Sequence, residues 1–568
     1  MNVVVYTATV LFCVCILCVV GVCVRLQLRW RAWLRDVPGP QATSFCYGNL
    51  YELICRDVVP VFLEWKATYG DAVRIWGTFG VRVNVLTQEP RLVLTDPVAI
   101  DYILRKRAYA YPKVRIVRRM LGKVMGYGLL AVEGDVHRRQ KRAIQPGFST
   151  RSIRKLTPLF HRYAHRLRAQ LARQVADEGA LVDLYRFVAC AALDAIGSAG
   201  FNVEFNTLAH TETQTDGQVH VGHPLIVAFE HTLEIATGNT MARNLFDAVT
   251  MIFPWLERLP IGVESVRFRK AADVLFRVAS ELVQEAKDAV LGPASALYRT
   301  RTNAERPDLL AALLRANANM TRNNDEKHSV LDKTELSDDE LAAQLSTFIF
   351  AGHETTATQT TWLLWALAQH PEAQDKLRAE LRAARRAHNL AEQSEYGACD
   401  ERRDLTMDEL EALPYLDACV RESLRLHGAI HTTSRMATER DVVPCADGRR
   451  ILVDKDTVIM IPLAAISQDP ALWGNDAHCF RPERWFEEMP GKDVYSAYGG
   501  ISFLLGAHAC IGRQFATAEM KSFVSVLVNA LRFVSDGRRT IVKRWIVSRP
   551  YDLRTHQDAC MLRVCRAP

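Results

Sequence analysis

Phe503-Leu-Leu-Gly506-Ala-His508-Ala-Cys510-Ile-Gly512-Arg-Gln-Phe515-Ala516-Thr-Ala-Glu519 frames one cysteine with two glycines and runs on into a helix-like stretch. A residue without Cβ takes positive φ freely and lets the backbone come close to a flat ligand, so Gly506 and Gly512 suit a tight loop against such a group. Cys510 lies just before the expected helix start, where the helix dipole and backbone N–H groups are expected to lower the thiol pKa and favour the thiolate. A single thiolate in such a loop can hold a metal cofactor. The alternative for Cys510 is the ordinary fate of a free cysteine, a small buried apolar side chain.

Three more stretches precede this one in order: Ala351-Gly352-His353-Glu354-Thr355-Thr356, Glu422-Ser-Leu-Arg425 and Phe480-Arg481-Pro482-Glu483-Arg484-Trp485. Together the four resemble the signatures of the cytochrome P450 family, and the resemblance covers nearly the whole chain after its N-terminal segment. It implies a mainly α fold with small β-sheets, an α-rich triangular prism preceded by a single N-terminal transmembrane helix. It also implies haem b with Cys510 as the axial ligand of the iron, in a loop shaped by Phe503, Gly506 and Gly512. A thiolate ligand pushes electron density onto haem iron and favours O–O cleavage.

The chain has 568 residues, 49% of them apolar, enough for a large core. A net charge of +7, spread along the chain, does not point to nucleic acid. No Walker A loop, nucleotide-binding glycine triplet or Gly-x-Ser-x-Gly elbow occurs, which removes the main evidence for an NTPase or a hydrolase. Residues Asn2 to Val24 carry no charge, and at about 1.5 Å per residue such a run spans a bilayer core of about 30 Å. A cleaved signal peptide fits less well, since a basic n-region and a small-residue cleavage site are missing. Arg25, Arg29, Arg31 and Arg35 follow at once, so the positive-inside rule places the remainder in the cytosol. The expected division is 1–24 transmembrane anchor, 25–45 basic and Pro-rich hinge with Pro38-Gly39-Pro40, and 46–568 catalytic domain. With the family, this implies a single-pass protein of the endoplasmic reticulum membrane.

Of the 14 cysteines, Cys13, Cys15, Cys18 and Cys23 fall in the apolar run and the rest are scattered, so neither a disulfide framework nor a zinc knuckle is expected. Segments near Ala72–Trp76 and Val81–Leu86 alternate like a hairpin around Gly77–Gly80. Long amphipathic runs predict helices over about 151–177, 263–291, 338–369, 371–387 and 407–427. The polar stretches His210–His223, Ala316–Asp339 and His388–Asp404 read as surface loops.

The resemblance assigns roles to individual residues. Glu354 and Thr355 would form an acid–alcohol pair, the alcohol hydrogen-bonding the oxygen substrate and the acid relaying protons. Adjacent helical residues do not face one another, so a kink at Gly352 or a water is expected. Without the motif, Thr355-Thr356 would read as a back-bonded or solvent-facing pair. Glu422, Arg425 and Arg484 would form a buried network beneath the cysteine loop; by spacing alone Glu422 and Arg425 could be a surface ion pair. Arg435, His508, His137 and Lys141 match positions that contact the haem propionates, with Arg138 competing for the last two. His508 stands where the family usually has arginine, and Leu504 where it usually has a small or polar residue. His427-Gly-Ala-Ile-His431 has metal-pair spacing, but Gly428 makes one continuous helix there improbable.

The implied activity is that of a haem-thiolate monooxygenase. It would take two electrons from NADPH through cytochrome P450 reductase, with cytochrome b5 as a second donor, and insert one atom of O2 into an apolar substrate. Arg138, Arg139, Lys141 and Arg142 would either form a solvated face or dock the acidic reductase. The style of the chain is similar to fungal members serving secondary metabolism, which suggests a terpenoid or lipid substrate. The alternatives are a fatty-acid or xenobiotic hydroxylase, a haem isomerase or dehydratase, and a non-enzymatic haem or scaffold protein. The last two classes have no use for an acid–alcohol pair.

Overall fold

The structure, a computed structural model, describes residues 34–44, 47–77, 90–175, 179–213, 219–221, 263–291, 309–310, 313–314, 336–396, 404–491, 500–537, 540–544, 547–554 and 556–568. The expected anchor, residues 25–33 and 45 of the hinge, and the segment Val81–Leu86 lie outside these residues. The fold is mainly helical with small sheets. Its principal helices are α1 (Gly134–Ile144), α2 (Thr150–Gln174), α3 (Leu184–Phe201), α4 (Val263–Leu291), α5 (Asp338–Gln369), α6 (Pro371–Tyr396), α7 (Pro414–His427) and α8 (Arg513–Ala530). The strands that matter below are β1 (Ala72–Trp76), β2 (Pro90–Leu94), β3 (Thr433–Met436), β4 (Val458–Ile461), β5 (Thr540–Arg544), β6 (Ser548–Asp552) and β7 (Gln557–Asp558).

The largest apolar cluster joins α2, α3, α5 and α8, with Phe160 of α2 meeting Phe515 of α8 edge to face, their centroids 4.9 Å apart. Helix α5 is buried along nearly its whole length. Its start is fixed by a capping box in which the Ser337 hydroxyl and the Glu340 carboxylate each take the other's backbone N–H. Helix α3 is long and apolar enough to cross a membrane, yet 94% of it is buried inside the protein, so its hydrophobicity serves the core.

Strand β1 pairs antiparallel with β2 in the register Ala72↔Leu94, and the sheet continues β1-β2-β4-β3. The strand facing β1 is therefore Pro90–Leu94. Two of the polar stretches hold more structure than expected. Thr211–Thr213 and Val219–Val221 form a small hairpin, and α6 continues to Tyr396, well into the expected loop. Its Glu, Gln and Arg residues are good helix formers, and polarity alone had hidden that. The run 407–427 is split at Leu413 by Pro414, which opens α7 at its first turn.

Candidate functional site

The cysteine loop is built backwards from α8. Cys510 donates its N–H to the Phe503 carbonyl at 2.9 Å, and Ala509 to Gly506 at 3.1 Å, so Phe503 shapes the loop through its backbone. Gly506 has φ +71°, and a Cβ there would lie 2.0 Å from the Leu104 carbonyl oxygen and 2.7 Å from Arg105 Cα. The loop thus rests directly on the backbone of the π-turn Tyr102–Lys106, and only glycine permits it. Gly512 is different from expectation. Its φ is −84°, and a Cβ would sit 3.9 Å from Cys510 Sγ, an ordinary contact.

Leu504 is in the left-handed region at φ +58°, where a side chain is strained, while its own side chain packs against an apolar cluster. Leu504→Val would put a β-branched chain there and is expected to lower stability by about 1–2 kcal/mol. Leu504→Gly exchanges strain relief for lost packing and is expected to stay within about 1 kcal/mol of wild type. Urea unfolding of the two variants checks the difference.

Cys510 is the exposed member of an otherwise half-buried loop. Although the residue itself is exposed, desolvation by the protein packed around its sulfur pushes the thiol up, and the Gly512 N–H, Arg513 and Lys141 pull the other way without prevailing. Helix α8 begins three residues later, and with no cation at the sulfur its N-terminal field does not outweigh that desolvation. A metal cation at the sulfur would supply the missing charge, since a coordinating thiol is deprotonated outright.

Around the loop lies a cationic cluster. Arg435 on β3 is buried, bonds Thr433 Oγ1 at 2.7 Å and the Ser434 carbonyl at 3.0 Å, and has no carboxylate in ion-pair reach among the described residues. Burial lowers it to about 10, with distant Glu133 opposing. A buried guanidinium without an acid of its own suits a propionate carboxylate. The other expected propionate contacts are partly engaged elsewhere. Lys141 Nζ donates to the Ala507 carbonyl at 2.5 Å. His508 Nε2 meets Glu133 Oε2 at 2.8 Å, and His137 Nδ1 meets the Tyr109 hydroxyl at 3.1 Å. The two imidazoles lie 4.5 Å apart, centroid to centroid. Burial lowers His137 to about 3, so it is neutral at pH 7. Burial alone would raise the Glu133 carboxyl, but His508 and Lys113, its Nζ at 2.9 Å, hold it well below the usual range. Glu133, Lys113 and Tyr109 carried no motif and were not singled out in the sequence.

Above this cluster the basic run of α1 divides. Arg139 turns in to Glu340 and Lys141 to the loop, while Arg138, over the Tyr109 ring and 2.6 Å from Asp135, and Arg142 face outward. Phe148 connects the loop to α5: its ring is 5.3 Å from that of Phe348, and it is also the neighbour a Gly512 Cβ would meet at 4.0 Å.

Helix α5 continues through Gly352. Gly352 allows close packing, for a Cβ there would meet Ile196 of α3 at 3.3 Å. Thr355 is half-buried and donates to the Ala351 carbonyl at 2.7 Å. Glu354 is buried and points to a different set of partners, Arg549, Tyr185 and Thr358. The pair therefore shares no hydrogen-bond partner in this structure.

The Glu422, Arg425 and Arg484 side chains come together with no exposure at all. Glu422 Oε1 takes Arg425 Nη2 at 2.8 Å and Arg484 Nε at 3.2 Å, and Oε2 takes Arg425 Nε at 2.9 Å and the Trp485 indole at 3.1 Å. Arg425 also caps the Ser467 and Ala477 carbonyls, both at 2.6 Å. No group of three or more metal-ligating side chains occurs among the described residues, and the described cysteines are free thiols.

The cytochrome P450 family model matches residues 38–552. The chain belongs to the cytochrome P450 family. This P450 is 34% identical over 546 residues to cytochrome P450 monooxygenase 128 of Postia placenta, covering 93% of this chain and 91% of the relative. It is 35% identical to cytochrome P450 monooxygenase 205 of the same fungus, over 88% and 86%. Ganoderic acid synthetase of Ganoderma lucidum is 30% identical, over 89% and 88%. A P450 monooxygenase uses haem iron, and the residues here fit that group: one thiol on a glycine-shaped loop, and a buried arginine without a carboxylate beside it.

Proposed function

We propose that this P450 is a membrane-anchored haem-thiolate monooxygenase of fungal secondary metabolism that oxidises an apolar terpenoid or lipid. The observation that carries the reaction class is Cys510 presented on the loop that Gly506 seats against the Tyr102–Lys106 turn, with buried Arg435 nearby as a carboxylate's partner. Haem bound there would supply the oxygen-activating chemistry that no side chain can. The chain's own residues would do the rest. Cys510 would be the axial ligand, Arg435 would hold a propionate, and His137, Lys141 and His508 would line that edge. Thr355 would offer a hydroxyl on the face of α5, and Glu354 would hold or pass a proton.

The substrate class rests on the likeness to ganoderic acid synthetase and to several fungal monooxygenases. Electrons would come from NADPH through cytochrome P450 reductase, docking near the outward Arg138 and Arg142, with cytochrome b5 as an auxiliary donor. Residues 1–24 would anchor the protein in the endoplasmic reticulum membrane with the catalytic domain in the cytosol, as Arg25, Arg29, Arg31 and Arg35 suggest. The test is microsomes holding the full chain and reductase, supplied with NADPH and a panel of triterpenoids and fatty acids. An oxygenated terpenoid or fatty-acid product, absent with Cys510→Ala, is expected; no oxygenated product from any of these compounds would overturn the substrate class.

A further inference from the structure

Three donors converge on one oxygen of Glu354. Arg549 Nε on β6 reaches Oε1 at 2.6 Å, the Tyr185 hydroxyl on α3 at 2.9 Å and the Thr358 hydroxyl, one turn along α5, at 3.3 Å. No described residue donates to Oε2. Arg549 is itself held: its Nη1 lies 3.1 Å from Asp558 Oδ2 on β7, and its guanidinium carbon stands 5.8 Å from the Tyr185 ring centroid. Strand β6 is fastened to α5 by the Trp362 indole, which donates to the Ser548 carbonyl at 2.7 Å. The ion pair is thus fixed from both sides, and Glu354 and Arg549 have side-chain exposures of 3% and 15%.

We propose that Arg549 is a positioning residue for the monooxygenase reaction: by pinning Oε1 of Glu354 it keeps the carboxylate in place and leaves Oε2 as the oxygen that takes up and gives back protons. This rests on the haem-thiolate reading given above. Nothing in the family motifs contains Arg549, and the role follows from the asymmetry of the contacts.

The charged and titratable groups facing Glu354 are Arg549 from β6, Asp558 from β7 through Arg549, Tyr185 from α3 and His353 beside it on α5. Burial alone would raise the Glu354 carboxyl, and Arg549 outweighs it, so that Glu354 is ionised at neutral pH. Burial likewise lowers His353 to about 4, leaving it neutral there. With the guanidinium gone, desolvation acts unopposed on Glu354 and its pKa rises, as for other buried glutamates.

The experiment compares wild type, Arg549→Gln, Arg549→Lys and Arg549→Gln/Glu354→Gln in the holoenzyme. Infrared spectra at pH 7 are expected to gain a neutral carboxylic-acid band in Arg549→Gln that vanishes in the double variant, with Arg549→Lys resembling wild type. Reductase-driven NADPH oxidation in Arg549→Gln is expected to fall about tenfold and to gain a titration limb between about pH 6 and 8 that Glu354→Gln removes. Should Arg549→Gln not hold haem, Tyr185→Phe carries the test, with a smaller shift in the same direction. Variants with normal haem content but no new band and an unchanged pH profile would overturn the proposal. Wild type lacking the thiolate spectrum would instead overturn the underlying reading, because the infrared band reports the ion pair whatever the iron does.

Discussion

Glu422→Ala is expected to be the most damaging single substitution outside the cysteine loop, yielding a protein that purifies without haem. The carboxylate takes five hydrogen-bond donations: two from Arg425 and one each from Arg484, the Trp485 indole and the Arg481 backbone N–H. Its removal leaves two guanidiniums in a site with no solvent exposure. Breaking a buried pair from one side costs about 3–5 kcal/mol, against the 5–15 kcal/mol that ordinarily holds a domain together. Arg425→Ala acts on the same joint by another route, since it strands the Ser467 and Ala477 carbonyls and opens a cavity beside Trp473. Arg484 keeps Asp476 at 2.7 Å in either case, so the loss is partial. Haem absorbance relative to protein absorbance checks both variants, and a normal ratio in either contradicts this account.

Gly506→Ala is expected to rank next. The added methyl would meet the Leu104 carbonyl oxygen at 2.0 Å, and both that atom and Arg105 Cα are backbone, which cannot swing aside like a side chain. A left-handed φ of +71° adds strain for any L residue. Together the clash and the strain amount to about 3 kcal/mol, enough to lift the loop from the Tyr102–Lys106 turn and displace Cys510. Gly512→Ala is the natural control, with an ordinary φ and contacts of 3.9 Å or more. It is expected to fold and take up haem, with altered surroundings of the sulfur alone. Equal haem loss in the two variants would show that loop seating is not what Gly506 provides.

Much of this was legible in the sequence wherever one residue type has one physical use. The helices near 151–177, 263–291, 338–369 and 371–387 followed from apolar periodicity, whereas α3, buried on all sides, shows no apolar stripe to read. The cysteine loop was recognisable from two glycines, although only Gly506 needs its freedom; the sequence carries no sign of which glycine lies against another backbone. What stayed hidden depends on distant parts of the chain. Glu133 and His508 are 375 residues apart, and Glu354 and Arg549 are 195 apart; no local pattern announces either contact. The propionate assignment of His508 was drawn from position alone, without the carboxylate that occupies its Nε2.

The central claim is that Cys510 binds haem iron as a thiolate. Reducing the purified full-length protein and adding carbon monoxide tests it most directly. The red-shifted Soret band specific to thiolate ligation is expected in wild type and absent in Cys510→Ala. A wild-type protein that binds haem but gives the unshifted band of a histidine-ligated or thiol-ligated iron would contradict it.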